Sequence, residues 1–112
     1  MKRTKMKIKH TKSRVGDLSE FYAVTWLWDK GYEVFLNAGS QGPIDLIAYK
    51  EGNTILIDVK TESPIIRKGG ENYYSNHRVR TELQKELGVK LLGYNPATRQ
   101  LRFVEHKDEQ SN

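Results

Sequence analysis

The chain has 112 residues, enough for one domain with one modest core. With 37% hydrophobic and 29% charged residues it has the composition of a folded globular protein rather than a disordered one. The lack of cysteine excludes a disulfide framework and a thiolate metal site; no apolar run approaches the ~18 residues of a membrane span or forms a signal region after the basic start, so a cytoplasmic protein with no membrane association is expected.

The net charge of +5 is unevenly placed. Residues 1–14 carry Lys2, Arg3, Lys5, Lys7, Lys9, Lys12 and Arg14 with no acid, and removing these seven from the nineteen bases leaves twelve against fourteen acids. The basicity therefore belongs to an N-terminal arm, residues 1–14, followed by a single domain over 15–105 and a polar tail over 106–112. Lys5, Lys7 and Lys9 of the arm suit the phosphate backbone of a nucleic acid, which gives affinity without sequence information. A solubilising tail explains the arm equally well.

The first helix is expected from Asp17, a good N-cap, to about Lys30, with Gly31 ending it. Glu20 stands three residues after Asp17, where a capping box would place it. It also lies on the stripe Ala23, Val24 and Leu27, the side expected to pack on a sheet. Phe21, Tyr22, Trp26 and Trp28 make the helix apolar nearly all round, and any aromatic surface left over suits a dimer interface. Tyr32 to Leu36, rich in aromatic and branched residues, reads as the first strand. It leads into the flexible loop Asn37-Ala38-Gly39-Ser40-Gln41-Gly42.

Two further strands, Ile44 to Tyr49 and Thr54 to Lys60, form a hairpin around Lys50-Glu51-Gly52-Asn53. If Tyr49 faces Thr54, Ile47 faces Leu56 and Asp45 faces Asp58, for a two-residue loop and a four-residue loop alike. Opposed residues share a face, and like charges there destabilise the pair. Lys60 alternates onto the face of Asp58, while Ile55, Ile57 and Val59 turn away. The result is a pocket of two aspartates and a lysine. Carboxylate oxygens suit a hard divalent cation such as Mg²⁺, with Mn²⁺ as a substitute. A lysine beside them can orient water or neutralise charge on a phosphate. A surface hairpin with solvated strand-end charges is the plainer alternative.

Gly42-Pro43-Ile44-Asp45, the hairpin step and Asp58-Val59-Lys60 together resemble the PD-(D/E)XK nuclease signature. Within that superfamily the short chain is most similar to the Holliday junction resolvase-like group, over nearly its whole length, with small phage repair, homing or restriction-type endonucleases of the same fold as the alternative. The resemblance implies a restriction-endonuclease-like α/β core, DNA as partner, a homodimer making symmetric cuts, and a place in DNA recombination and repair. It also implies a first-helix glutamate, here Glu20, as a further metal ligand, and a serine in the loop, Ser40, at the phosphate. In two respects the chain departs from the resolvase pattern: Asp58 stands where Glu is usual, and Ile44 separates Pro43 from Asp45.

Thr61 to Asn76 reads as a long loop in which Arg67, Lys68 and Tyr73 suit nucleic acid. A second helix is expected over about Arg78 to Leu87, ending at Gly88, with Val79, Leu83 and Leu87 as its apolar stripe. Arg78, at its start, is a candidate for nucleic-acid contact, and Arg80 and Gln84, on its other faces, are candidates as well. The resemblance places residues of this kind beside the catalytic lysine. Val89 to Tyr94 and Arg99 to Glu105 are two last strands around the turn Asn95-Pro96-Ala97-Thr98. His10, His77 and His106 make no metal-ligand spacing.

The order αβββαββ gives a central mixed sheet flanked by helices. Asp45, Asp58, the Val59 carbonyl and Glu20 are the expected metal ligands, and Asp45, Asp58, Lys60 and Glu20 the expected catalytic groups. A nucleic-acid-binding module without catalysis is the rival from another class. It leaves two facing aspartates without a cation to offset them.

Overall fold

A computed structural model of the chain describes residues 10–39, 41–65, 69–70, 73–75 and 80–105. Helix α1, Lys12–Asp29, begins five residues before the expected cap. Thr11 caps it in extended geometry, its hydroxyl accepting the Arg14 N–H at 3.1 Å. Asp17 and Glu20 therefore lie inside the helix and form no capping box. Lys12 and Arg14, counted with the basic arm, are helical, and Gly31 takes positive φ just beyond the end, where the chain turns back.

Strands β1 (Glu33–Leu36), β2 (Leu46–Lys50) and β3 (Asn53–Thr61) form an antiparallel meander. After it come helix α2, Glu82–Leu87, and strands β6 (Lys90–Tyr94) and β7 (Leu101–Phe103). The five-stranded sheet runs β1-β2-β3-β6-β7, with β3 and β6 parallel and β6 and β7 antiparallel, so it is mixed, as expected. The β2–β3 register is the one read from sequence: Tyr49 faces Thr54 and Ile47 faces Leu56. Lys50 pairs with Asn53, leaving the two-residue turn Glu51-Gly52 with both φ positive, the hairpin geometry whose twist matches that of the strands.

One face of the sheet is covered by α1. Ala23 and Leu27 are fully buried against Leu46, Ala48, Ile57 and Leu92, with Val24, Trp26, Ile55 and Val59 around them. The Ser19 hydroxyl bonds that of Thr61, and Tyr22 stacks on Tyr94 with centroids 5.2 Å apart, so the helix is also pinned at its polar flank. Phe21 and Trp28 remain on the outside, 68% and 70% exposed.

Three expectations are corrected beyond the meander. Thr61 to Asn76 is not a single loop: β3 continues to Thr61, and β4 (Ser63–Ile65) pairs with β5 (Tyr73–Ser75) as a second small sheet. Helix α2 starts only after Thr81, which forms a capping box with Gln84, and ends on left-handed Gly88 as expected. Its exposed side carries Leu83 and Leu87, whereas Arg80 just before it and Gln84 within it are buried. Hydrogen bonds to the sheet, described below, hold Gln84 inward against the apolar periodicity. Strand β7 is also shorter than the expected span, because Asn95 folds the preceding turn, its carboxamide oxygen accepting the Ala97 and Thr98 N–H groups.

Thr11→Ala should cost about 0.5–2 kcal/mol of stability in denaturant melts, whereas Asp17→Ala should stay within about 0.5 kcal/mol of the wild type. The reverse order would restore the later helix start.

Candidate active site

Asp45 precedes β2, and here the structure departs from simple facing. The regular ladder ends at Leu46 opposite Ile57. The Asp45 N–H donates to the Ile57 carbonyl at 2.8 Å, so two residues of one strand meet one of the other, the arrangement of a β-bulge. Bulges re-aim side chains, and the Asp45 carboxylate reaches along β3 to accept the Val59 N–H at 2.8 Å. Asp45 does not stand in register with Asp58, yet the two carboxyl groups come into hydrogen-bonding contact.

Asp58 lies in the middle of this arrangement, 5% exposed. Its Oδ2 receives the Gln84 carboxamide N–H at 2.8 Å and stands 3.3 Å from the Lys60 ammonium. Alternation along β3 brings Lys60 to this face, as read from the sequence, and its side chain is partly exposed at the mouth. The same Gln84 nitrogen donates to the Pro43 carbonyl at 3.0 Å, and its oxygen accepts the Thr81 N–H at 3.0 Å. One side chain thus ties the start of α2 to Asp58 and to the turn that delivers Asp45. Arg80 NH1 donates to the Val89 carbonyl at 3.2 Å beneath the same helix.

Electrostatics follow from the crowding of acids. Burial, then the hydrogen bond with Asp58, raise the Asp45 pKa to about 7; the Val59 N–H opposes this, and the charges of Asp58 and Glu20 add to it. Partial burial, then the charge of Asp17, also raise the Glu20 carboxyl. Glu20 is near enough to act on Asp45, but among the described residues no three His, Cys, Asp or Glu side chains stand together as a metal-holding group. Glu20 flanks the pair rather than completing a cage.

The pair itself fits a divalent cation. Beside Asp58, the Asp45 carboxyl keeps its proton to about pH 7, and a cation in place of that proton would remove the repulsion while taking the hard oxygen donors it prefers. The Val59 carbonyl lies on the same strand edge as its N–H, which points to Asp45, so it would be available to such an ion as a third oxygen.

The structure therefore brings together Asp45, Asp58, Val59 and Lys60 and leaves Glu20 at their side. Arg80 and Gln84, expected to meet nucleic acid and, by the resemblance, to stand beside the catalytic lysine, are buried, and Gln84 bonds the Asp58 oxygen that Lys60 also approaches. The signal for Gln84 was the run Thr81-Glu82-Leu83-Gln84, which has capping-box spacing. Lys5, Lys7, Lys9, Ser40, Arg67, Lys68 and Arg78 lie outside the described residues, and Tyr73 is described only as backbone paired with Ile65.

The PD-(D/E)XK endonuclease family model matches residues 9–107, and the chain belongs to that family. Its members generally use divalent metals. Among solved structures, the bacterial homing endonuclease I-Ssp6803I shares the fold with a TM-score of 0.63 at 19% identity, the match covering 86% of this chain and 66% of that one. This chain thus spans just under two thirds of the length of that neighbour. No match is found among curated proteins.

Two outcomes test the geometry. Gln84→Ala should weaken Mn²⁺ binding at Asp45 and Asp58 by about 10–100-fold, read by calorimetry, because it removes the donor that orients Asp58. In metal-free protein Asp45 keeps its proton to about pH 7 when folded but loses it near 3.8 when unfolded, so the folded state binds more protons between these values. Stability should therefore fall as pH rises through that window and level off above it, and Asp45→Asn should flatten the fall in thermal melts at about pH 5 and about pH 8.

Proposed function

We propose that this chain is a divalent-metal-dependent DNA endonuclease that hydrolyses phosphodiester bonds and prefers branched DNA, as a junction resolvase does. The observation that carries the reading is the contact between the Asp45 and Asp58 carboxyls with Lys60 3.3 Å from Asp58. Asp45, Asp58 and the Val59 carbonyl are the residues that would hold Mg²⁺ or Mn²⁺. Such an ion supplies Lewis-acid polarisation of a phosphate and lowers the pKa of bound water.

The rest is the work of the chain. Lys60 stands on the open side of Asp58, where its ammonium positions the attacking water or meets charge growing on the phosphate oxygens. Gln84 fixes Asp58 from beneath with a neutral donor, so the carboxylate cannot turn away when Lys60 engages substrate. The described residues form no separate base-reading unit, which favours recognition by shape and backbone. The exposed Phe21 and Trp28 on the outer flank of α1 suit a second copy, which symmetric cutting of two strands would require. Cytoplasmic DNA recombination and repair are the corresponding setting.

The test is cleavage of a synthetic four-way junction, beside linear duplex, single-stranded and flap DNA, with Mg²⁺ or Mn²⁺. Paired symmetric cuts confined to the junction are expected, reduced roughly a hundred- to a thousand-fold or more in Asp58→Ala and Lys60→Ala. Cutting of the other substrates would keep the endonuclease and remove the junction preference. No cutting under any metal, with equal DNA binding by all three proteins, would make the chain a binding module.

A further inference from the structure

Beyond the metal pair, the sheet carries a second charged arrangement on the same face. The register places Lys60 beside Gly93 and Gly93 beside Arg102, so the three lie in one row across β3, β6 and β7. Register partners share a face, and strands stand about 4.8 Å apart, which puts the Arg102 backbone about 10 Å from that of Lys60. Between them Gly93 has no side chain. A Cβ there would meet the Glu62 carboxylate oxygen at 3.2 Å and its Cγ at 3.3 Å, so glycine lets Glu62 lie across the row.

Glu62, two residues beyond Lys60, is 4% exposed, and its Oε2 receives Arg102 NH2 at 3.0 Å. The arginine side chain is itself 54% exposed. Its guanidinium is thus gripped at one nitrogen from below and presents its remaining donors to solvent. The adjoining cavity, about 480 Å³, is lined by Glu62, Arg102, Arg99 and Trp26 among others. The cavity reaches round to the face that α1 covers, where Arg99 NH1 donates to the Tyr94 hydroxyl at 2.8 Å and the guanidinium lies 5.0 Å from the Tyr22 ring centroid, so Arg99 does not belong to the row.

We propose that Arg102, aimed by Glu62, binds the backbone phosphate next to the one being cut on the same DNA strand. This rests on the DNA-endonuclease reading above. A stabilising ion pair would be the plainer role, but a half-exposed arginine on a buried carboxylate is a poor source of stability compared with an apolar pair of similar volume. What the pair does provide is a planar guanidinium of fixed orientation, the geometry that phosphate oxygens accept. It stands in the row of the lysine at the scissile phosphate, within a nucleotide or two along a strand.

The test is the salt dependence of DNA binding by the full chain, without added metal so that nothing is cut, over a series of KCl concentrations. Loss of one phosphate contact lowers the slope of log K against log salt by about one. Arg102→Ala is expected to show that decrease, and Arg102→Lys, which keeps the charge, to retain most of the wild-type slope. Because Arg102→Ala strands a buried carboxylate, Glu62→Gln with Arg102→Ala is measured too and should lose the same slope while folding normally. An unchanged slope in the folded double variant overturns the proposal, and the endonuclease reading then stands or falls separately on metal-dependent cutting. A decrease of about one in a protein that cuts nothing would keep the phosphate site and remove the endonuclease. Failure of the wild type to bind DNA would overturn both.

Discussion

Two carboxyl groups held in contact at the end of a buried strand pair set the terms for everything around them. Left alone, Asp45 and Asp58 repel, and the fold answers with donors from three directions. The Val59 amide holds Asp45, and Gln84 and Lys60 converge on one oxygen of Asp58. Even so, Asp45 holds its proton to about pH 7, so the site is built for a positive charge that the side chains only partly provide.

The architecture can be understood as the support for that contact. Helix α1 seals the opposite face of the sheet through Ala23 and Leu27, which fixes β2 and β3 as a rigid floor. The bulge at Asp45 then shifts one carboxylate along the strand axis without disturbing the pairs from Leu46 to Lys50. Helix α2 is under two turns long and would be marginal by itself. Its capping residue Gln84 binds Asp58 and the Pro43 carbonyl, so the short helix and the site hold each other in place.

Much of this was legible in the chain. Alternation in the two hairpin strands and the glycine in the turn fixed a register that the structure reproduces pair for pair up to Leu46, and with it the shared face of Asp58 and Lys60. What escaped reading has a common cause in polar contacts between distant residues. Hydropathy put Leu83 and Leu87 inward, but hydrogen bonds hold Gln84 there instead, and hydropathy does not register them. The bulge at Asp45 depends on the way Ile57 is shared, which the pattern of apolar residues does not encode. Thr11 and Asp17 are both good caps, and local sequence did not choose between them. Glu62 and Arg102 meet across forty residues with no motif to announce them.

The central claim is that a divalent cation takes the place of the proton that Asp45 holds beside Asp58. It is tested most directly by titrating the metal-free chain with Mn²⁺ at about pH 6 in buffers of different ionisation heat, which counts the protons released on binding. Release approaching one proton per ion, fading as the pH is raised well past 7 and lost in Asp45→Asn, is the predicted result. Absence of binding, or binding that releases no proton and is equal in wild type and Asp45→Asn, would contradict it.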